Sequence, residues 1–515
     1  MTEKDRFERG NADSGESQNE RRRPRSWTPN RERRVKSKKS FDKQKMDHLV
    51  EDKSPIYRGE LDPRKKDPDR KPRSVSRSEE KVRQKAEALA ENDPSLQARR
   101  EPKITDFRDQ FEKCDASPGR LAALYATQRV RRRNAFAQEV IESTIDRSRI
   151  SPADRAFATL LTLGVVSTSG SLDEVINRCL ASPRDIKPDV RDALRISTYE
   201  VIYLRKEPHA AVNQGVELVR AVAPSAAGLA NAVLHRILTS AESFPFGDPT
   251  SSIGALALLY AFPTWLARRL IEDMGSAAAI ELMRSANDQA PLFIHVNALQ
   301  ASDDEVISLF KEVGAELQPA ESGGIAPAGC YRVSKARSLA DGRIRRLFQQ
   351  GKILVSDASA QAVAAAVLEG GAPESLLEVG AGRGTKTIML QSMAYRLYGD
   401  QLNITSMDSH GFKAELLRDR ARDYGVRIER IVTGNATRLD AILPDQTFDA
   451  VFIDAPCSGL GTLRRHQEIR WRITPERIDE LVQTELALLK SAAGHVGAGG
   501  SIVYATCSVT YAENN

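Results

Sequence analysis

From residue 346 onward, short apolar runs rich in β-branched residues alternate with helical stretches, and no other feature of the chain restricts its fold as tightly. Regular alternation of this kind implies parallel βαβ units wound into a doubly wound, Rossmann-like α/β sheet. In such sheets the carboxyl ends of the strands open into the ligand crevice. Two cysteines sit where strands run out: Cys457 in Phe448-Asp-Ala-Val-Phe-Ile-Asp-Ala-Pro-Cys457-Ser-Gly and Cys507 in Ser501-Ile-Val-Tyr-Ala-Thr-Cys507-Ser. A single buried cysteine is ordinarily a small core hydrophobe, and Cys114, Cys179 and Cys330 are read that way. Two thiols delivered to one crevice from different strands suggest covalent catalysis instead.

A third strand, Leu376-Leu-Glu-Val379, runs into Gly380-Ala-Gly382-Arg-Gly384-Thr-Lys386 and then a helix over Thr387–Leu397. The glycines allow a tight turn and close approach of a ligand to the backbone, and the helix start offers free N–H groups. The pattern alone is shared by dinucleotide enzymes, methyltransferases and plain strand–helix turns. The neighbouring strands narrow the choice. Asn403–Asp408 ends in an acid suited to ribose hydroxyls, Arg430-Ile-Val-Thr-Gly-Asn435 in an amide suited to an adenine edge, and the Phe448 strand in Asp454. Polar groups at successive strand ends point to a cofactor that carries a nucleoside.

The rest of the chain divides by composition. Residues 1–103 are expected to form a disordered basic tail, with charge runs such as Arg31-Glu-Arg-Arg-Val-Lys-Ser-Lys-Lys39 broken by Pro and Ser. Of the 76 Lys/Arg and 70 Asp/Glu in the chain, 29 and 20 fall in residues 1–100, so the net charge of +6 belongs to the tail. It reads either as a non-specific RNA tether, through counterion release, or as a solvated segment of mixed charge. Residues 104–240 read as all-helical. Ser151-Pro-Ala-Asp154 supplies an N-cap, a first-turn Pro and an acid, and Phe157, Leu160, Leu161 and Val165 follow at helical spacing. Further helices are expected over Asp189–Leu204, Ala210–Ala223 and Ser225–Leu238. Residues 241–345 read as a linker, beginning Glu242-Ser-Phe-Pro-Phe-Gly-Asp-Pro, and a small α/β piece with a strand over Leu292–Asn297. Residues 346–515 form the domain described above. Five scattered cysteines without CxxC spacing fit free thiols in a reducing cytoplasm, with no zinc site or disulfide framework. No apolar run is long enough to span a membrane, and no metal or membrane contact is expected of what reads as a monomer.

At Asp454-Ala-Pro-Cys457-Ser-Gly-Leu-Gly-Thr-Leu-Arg-Arg465-His-Gln-Glu-Ile-Arg-Trp-Arg472 and Tyr504-Ala-Thr-Cys507-Ser the chain resembles the RsmB/Sun-type family of RNA cytosine-C5 methyltransferases. The resemblance covers roughly residues 255–515. The helical part resembles the NusB-like RNA-binding domain of that family at Asp154-Arg155-Ala-Phe157, Leu194-Arg195, Pro208-His-Ala-Ala-Val-Asn213 and Ala230-Asn231-Ala-Val-Leu234. The resemblance implies S-adenosyl-L-methionine as cofactor, held by Gly380, Ala381, Gly382, Arg383, Gly384, Thr385 and Lys386 together with Asp408, Asn435 and Asp454. It implies Cys507 as nucleophile, Cys457 as the cysteine of product release, and small-subunit (16S) rRNA as substrate. Asp454 then lies near the cytosine, with Lys386 and the nearby arginines as sources of a lowered thiol pKa. Arg464, Arg465, Arg470 and Arg472 read as a basic loop for RNA phosphates or, more plainly, as a solvated surface loop. His209 and His466 read as structural or RNA-adjacent, and Trp265 and Trp471 as core or rim residues.

The chain departs from the family pattern in three places. Glu378-Val-Gly-Ala-Gly-Arg-Gly-Thr-Lys386 stands where the family has acid-x-Cys-Ala-Ala-Pro-Gly-Gly-Lys, Asn435 replaces an Asp, and Gln467 replaces a Pro. The chain also stops at Asn515, so the sheet is expected to lack its last strands, and weak or absent activity is expected of the chain as it stands. A non-catalytic RNA-binding assembly or antitermination factor built on the helical domain is the alternative. A dinucleotide oxidoreductase would leave both cysteine motifs unexplained.

Overall fold

The computed structural model describes residue 104 and residues 106–515, so the tail expected over residues 1–103 lies outside the described residues. Four helices of the first part, Pro118–Arg133, Pro152–Arg178, Pro188–Ile202 and Pro208–Val222, begin on a proline, whose missing N–H costs nothing in a first turn. Ser151 caps the second by accepting the Asp154 N–H at 3.1 Å. With Ala137–Ser143 and Ala227–Ala241 they form an all-helical bundle around Leu121, Leu124, Leu161, Leu172, Leu194 and Leu234. Val165 joins that core, whereas Leu160, one residue and about 100° round the helix from Leu161, is 47% exposed.

The segment expected to be a linker packs instead of spanning. Phe244 and Phe246 meet edge to face and rest on the bundle, with Tyr203 against Phe244 and the Arg178 guanidinium over Phe246. Their burial offsets the ordering entropy that a Pro- and Gly-containing stretch would otherwise retain.

Three short helices, Ile253–Tyr260, Thr264–Met274 and Ser276–Ser285, lead into a four-stranded antiparallel sheet. Its strands are β1 (Phe293–Val296), β2 (Leu317–Pro319), β3 (Cys330–Val333) and β4 (Ile353–Val355), in the order β2-β3-β1-β4. The last strand corrects the expected boundary at 346. Ile353–Val355 pairs antiparallel with β1, Ile294 opposite Val355, and so belongs to the small sheet, not to the parallel one. Ile353 is buried in the core of that sheet, and Leu354, on the opposite face, in the core shared with Leu376 and Ile404.

The parallel sheet begins at β5 (Leu376–Val379) and continues with β6 (Ile404–Asp408), β7 (Arg430–Thr433), β8 (Phe448–Asp454) and β9 (Val496–Ala505). The order is β7-β6-β5-β8-β9, parallel throughout. The strands read as near-continuous apolar runs because helices cover both faces: Leu376, Ile404 and Phe452 face one core, Leu377, Met407 and Val451 the other. The first strand in sequence is central, and the connection leaves it in opposite directions towards β6 and β8. The topological switch point therefore lies at the carboxyl end of β5, beside that of β8.

Candidate active site

The turn after β5 is shaped by close approach. Gly380 has φ +85°, and a Cβ there would stand 2.3 Å from the Asp454 carbonyl oxygen, so only glycine lets the β5 turn lie against the end of β8. Gly384, φ +77°, opens the helix Thr385–Tyr398. Beneath the turn, Glu378 is fully buried and accepts from Thr387 Oγ1 and Ser406 Oγ, both at 2.7 Å. Burial raises its pKa against the pull of those two hydroxyls.

A cavity of about 410 Å³ lies over the carboxyl ends of β5, β6 and β8. Gly380, Gly382, Asp408, Asn435 and Asp454 line it, together with Met407. Ala381, Arg383, Gly384, Thr385 and Lys386 do not. They shape the turn from outside: the Arg383 carbonyl and Thr385 Oγ1 accept from Arg420, and Ala381 is buried. Asp408 accepts the Gly382 N–H at 3.0 Å on one oxygen and the His410 N–H at 2.9 Å on the other, so the end of β6 is pinned to the glycine turn. Asn435 Oδ1 accepts the Thr437 N–H at 3.1 Å and its hydroxyl at 2.9 Å, capping the turn after β7.

The two thiols meet just beyond Pro456, which lines this cavity; neither thiol lines it itself. Cys457 Sγ and Cys507 Sγ are 3.1 Å apart, and the Cys507 N–H donates to Cys457 Sγ at 3.1 Å. Both are free cysteines, Cys507 exposed and Cys457 half-buried. The contact splits their acidities. The hydrogen bond from Cys457 lowers the Cys507 pKa; burial and the Asp454 charge oppose this, and Lys386 adds to it. The same contact, then burial, raises that of Cys457. A thiolate on Cys507 is thus stabilised by the neutral thiol beside it. Lys386 Nζ donates to Asp454 Oδ2 at 2.6 Å, so the lysine answers first to that carboxylate. The arginines expected to help are not among the charges acting on Cys507.

Those arginines build the interface between the domains instead. Arg470 is fully buried, its guanidinium bonded to the Ala261 and Ala286 carbonyls and Asn287 Oδ1 and stacked over Phe262, and burial lowers its pKa to about 9. Arg465 pairs with Asp357, and Arg472 donates to the Asn134 and Ala135 carbonyls of the bundle at 3.0 and 2.7 Å. Arg464 is the most open, 40% exposed with one 3.5 Å contact to Asp288. Trp471 lies over Gly170 and donates to the Ser167 carbonyl at 2.9 Å, while His466 packs on Phe136 and Glu468 accepts the Ala137 N–H at 2.6 Å. The segment expected to face RNA phosphates is for the most part the catalytic domain's seat on the bundle.

Sequence reasoning missed the group that ties the thiol loops together. Glu513, 2% exposed, accepts from the Ser458 N–H and hydroxyl, from Ser508 Oγ and from Thr510 Oγ1. Ser458 and Ser508 directly follow the two cysteines and touch each other at 3.0 Å. The repeated Cys-Ser pair was the available signal. Gly461 closes the loop by donating its N–H to the Cys507 carbonyl at 2.8 Å.

Fold and site together define a methyltransferase with a Rossmann-like catalytic domain, a ferredoxin-like subdomain and a NusB-type bundle. Family models match each part: 16S rRNA methyltransferase RsmB/F over residues 365–515, the NusB family over 117–239 and the RsmF/B-like ferredoxin-like domain over 262–329. The chain is 32% identical over 390 residues to the probable ribosomal RNA small subunit methyltransferase B of Synechocystis sp., covering 75% of this chain and 84% of that one. It is 29% identical to ribosomal RNA small subunit methyltransferase B of Klebsiella pneumoniae, over 71% and 81% of the two chains. The chain belongs to the RsmB/F family of 16S rRNA methyltransferases, whose cofactor is S-adenosylmethionine. The crystal structure of PH0851 has the same fold, with TM-score 0.61 at 22% identity over 78% of this chain and 88% of that one. Among the described residues no helix is long and apolar enough to cross a membrane.

Proposed function

We propose that the chain methylates carbon 5 of a cytosine in small-subunit rRNA through a covalent adduct of Cys507 with carbon 6 of the base. The observation that carries this reading is the 3.1 Å pair of inequivalent thiols at the ends of β8 and β9, beside the cofactor cavity. Carbon 5 of cytosine is a weak nucleophile. Addition of the Cys507 thiolate to carbon 6 turns the ring into an enamine whose carbon 5 is reactive.

S-adenosylmethionine, when bound, supplies an electrophilic methyl group. The cavity fits it: Gly380 and Gly382 line one side with backbone alone, and Asp408 and Asn435 edge the space where a ribose and an adenine need partners. Asp454, paired with Lys386, stands at the boundary between that cavity and the thiols and is the group to share a proton with ring nitrogen 3. After methyl transfer the carbon 5 proton goes to a base, and the carbon 6–sulfur bond breaks to return the Cys507 thiolate. Cys457, or a water it orients, is the nearest acid/base group to Cys507. The substrate is an extruded or single-stranded cytosine, since neither carbon 5 nor carbon 6 is reached inside a stacked helix.

RNA containing 5-fluorocytosine tests the reading, because fluorine at carbon 5 blocks release. A cofactor-dependent covalent complex that disappears in Cys507→Ala is the expected result. No complex from folded protein refutes the adduct. Cys457→Ala is expected to accumulate adduct on natural RNA.

A further inference from the structure

The pairing of β8 with β9 does not stop where the strands do. The Ala455 N–H donates to the Ala505 carbonyl at 2.9 Å, the Cys507 N–H to Cys457 Sγ at 3.1 Å, and the Ser458 and Ser508 hydroxyls meet at 3.0 Å. Contacts before and after the cysteines hold the two turns side by side, and Glu513 clasps both serines. Between these fixed points Cys457 Sγ and Cys507 Sγ stand 3.1 Å apart, so a disulfide of about 2.05 Å needs the sulfurs to close by only about 1 Å. Small rotations of the two side chains cover that distance and leave both strands in place.

The two thiols also differ in the way that oxidation by a peroxide requires. Cys507 is exposed and ionises more readily than an ordinary thiol, whereas Cys457 is half-buried and holds its proton. An accessible thiolate is the group that attacks a peroxide, and a second thiol within reach resolves the product. The other cysteines lie elsewhere: Cys114 and Cys179 pack with the bundle, and Cys330 is on β3.

We propose that Cys457 and Cys507 form a reversible redox switch: a hydroperoxide oxidises the pair to an intramolecular disulfide, which removes the Cys507 nucleophile, and a dithiol restores it. In the first step the Cys507 sulfur attacks one peroxide oxygen. The O–O bond breaks, an S–O bond forms, hydroxide leaves, and Cys507 is a sulfenic acid, oxidised by two electrons. In the second step the Cys457 sulfur attacks that of Cys507. The S–S bond forms, the S–O bond breaks, and the hydroxyl departs as water with the Cys457 proton. Two exchanges with a dithiol reverse the change. The disulfide also keeps Cys507 from the sulfinic acid, which a dithiol does not reduce. The pairing rests on the geometry of the turns; its effect on methyl transfer rests on the proposed role of Cys507.

The test follows the sulfurs first. The full chain is treated with hydrogen peroxide at neutral pH without RNA or cofactor, free thiols are blocked with N-ethylmaleimide, and unreduced peptides are mapped by mass spectrometry. A linked Cys457–Cys507 peptide is expected to appear as Cys507 labelling is lost, and to vanish with dithiothreitol. In Cys457→Ser the sulfenic acid is expected to persist for capture by dimedone and to pass to the sulfinic acid with excess peroxide. Cys457→Ala gives the same readout should the serine variant not fold. Loss of free Cys507 in the parent with Cys457 still free and no linked peptide overturns the proposal, as does equal dimedone capture in parent and variant. The 5-fluorocytosine trap then reads the switch. Oxidised parent is expected to lose the RNA complex and regain it with dithiothreitol, whereas oxidised Cys457→Ser does not regain it. A fully linked chain that still traps RNA overturns the switch. A linked peptide from protein that never traps RNA when reduced removes the adduct reading and leaves the disulfide standing.

Discussion

Glu513 receives the backbone N–H of Ser458 on one carboxylate oxygen at 2.5 Å and the Ser458 hydroxyl on the other at 2.7 Å. The residue after Cys457 is thereby fastened to a position eight residues beyond the end of β9, the strand that leads to Cys507, and Ser508 and Thr510 share the same carboxylate. Glu513→Ala leaves a buried N–H and three hydroxyls to find other partners, at about 1–3 kcal/mol for each that fails. The expected outcome is lower stability to denaturant together with methyl transfer reduced at least tenfold, with Glu513→Gln between the two. Unchanged transfer in Glu513→Ala would show that the thiol pair is held by its strands alone.

The split between the thiols gives a second expectation. Cys507 owes its lowered pKa first to the hydrogen bond with Cys457 and only in part to Lys386, whose charge is largely met by Asp454. A depressed pKa means that Cys507 is a thiolate at a lower pH than an ordinary cysteine. Cys457→Ala is expected to raise the midpoint for Cys507 alkylation by more than Lys386→Met does. The reverse ranking would make the lysine the principal source.

The four arginines after Cys457 separate cleanly. Arg470→Ala removes a guanidinium that satisfies two carbonyls and an amide in a fully buried position, and is expected to cost about 3 kcal/mol or more in unfolding free energy. Arg464→Ala, at a 40% exposed position, is expected to change stability by no more than about 0.5 kcal/mol. Its effect belongs instead in the salt dependence of RNA binding, where loss of one phosphate contact lowers the slope by about one. An Arg464→Ala variant with an unaltered slope takes that residue out of the RNA surface.

What could be read from the sequence follows a physical line. Strands buried on both faces are continuous apolar runs, so β5, β6 and β8 and the cavity residues at their ends were legible. The three-residue strand Ile353–Val355 was not, because its apolar run is equally suited to either sheet and only pairing with Phe293–Val296 decides. Arg470 and Arg472 look like any basic loop, since partners more than 180 positions away in the chain leave no local mark. Glu513 left only the repeated Cys-Ser pair as a signal, because nothing local says that an acid six residues beyond Cys507 points inward.

The bundle's seat on the catalytic domain is a fourth place to probe. A Cβ at Gly170 would stand 2.1 Å from the Trp471 ring, so the helix Pro152–Arg178 accepts the indole only because that position is glycine. Gly170→Ala overpacks the contact at about 1–3 kcal/mol, despite its better helix propensity. The expected result is a separation of unfolding into two steps, bundle and catalytic domain, detected by calorimetry. A single transition at the original temperature would mean that the ring shifts freely and that the contact carries no coupling.

The small sheet supplies the last expectation, through pH. His295 on β1 is fully buried, its Nδ1 3.1 Å from Gln361 Oε1 and its Nε2 2.9 Å from Ser392 Oγ. Burial first, with the Arg396 charge adding, lowers its pKa from 6.5 to about 4, while the Gln361 hydrogen bond resists. The unfolded chain therefore binds a proton near pH 6.5 that the folded chain refuses until near pH 4. Stability from this group is complete above the unfolded pKa and is lost as pH falls through that window. The loss amounts to about 3 kcal/mol across it. His295→Gln removes the titration while keeping hydrogen-bonding groups for Gln361 and Ser392. Denaturant unfolding measured between those two pH values is expected to fall more steeply for the parent chain than for His295→Gln. Parallel curves would assign the acid sensitivity to other groups.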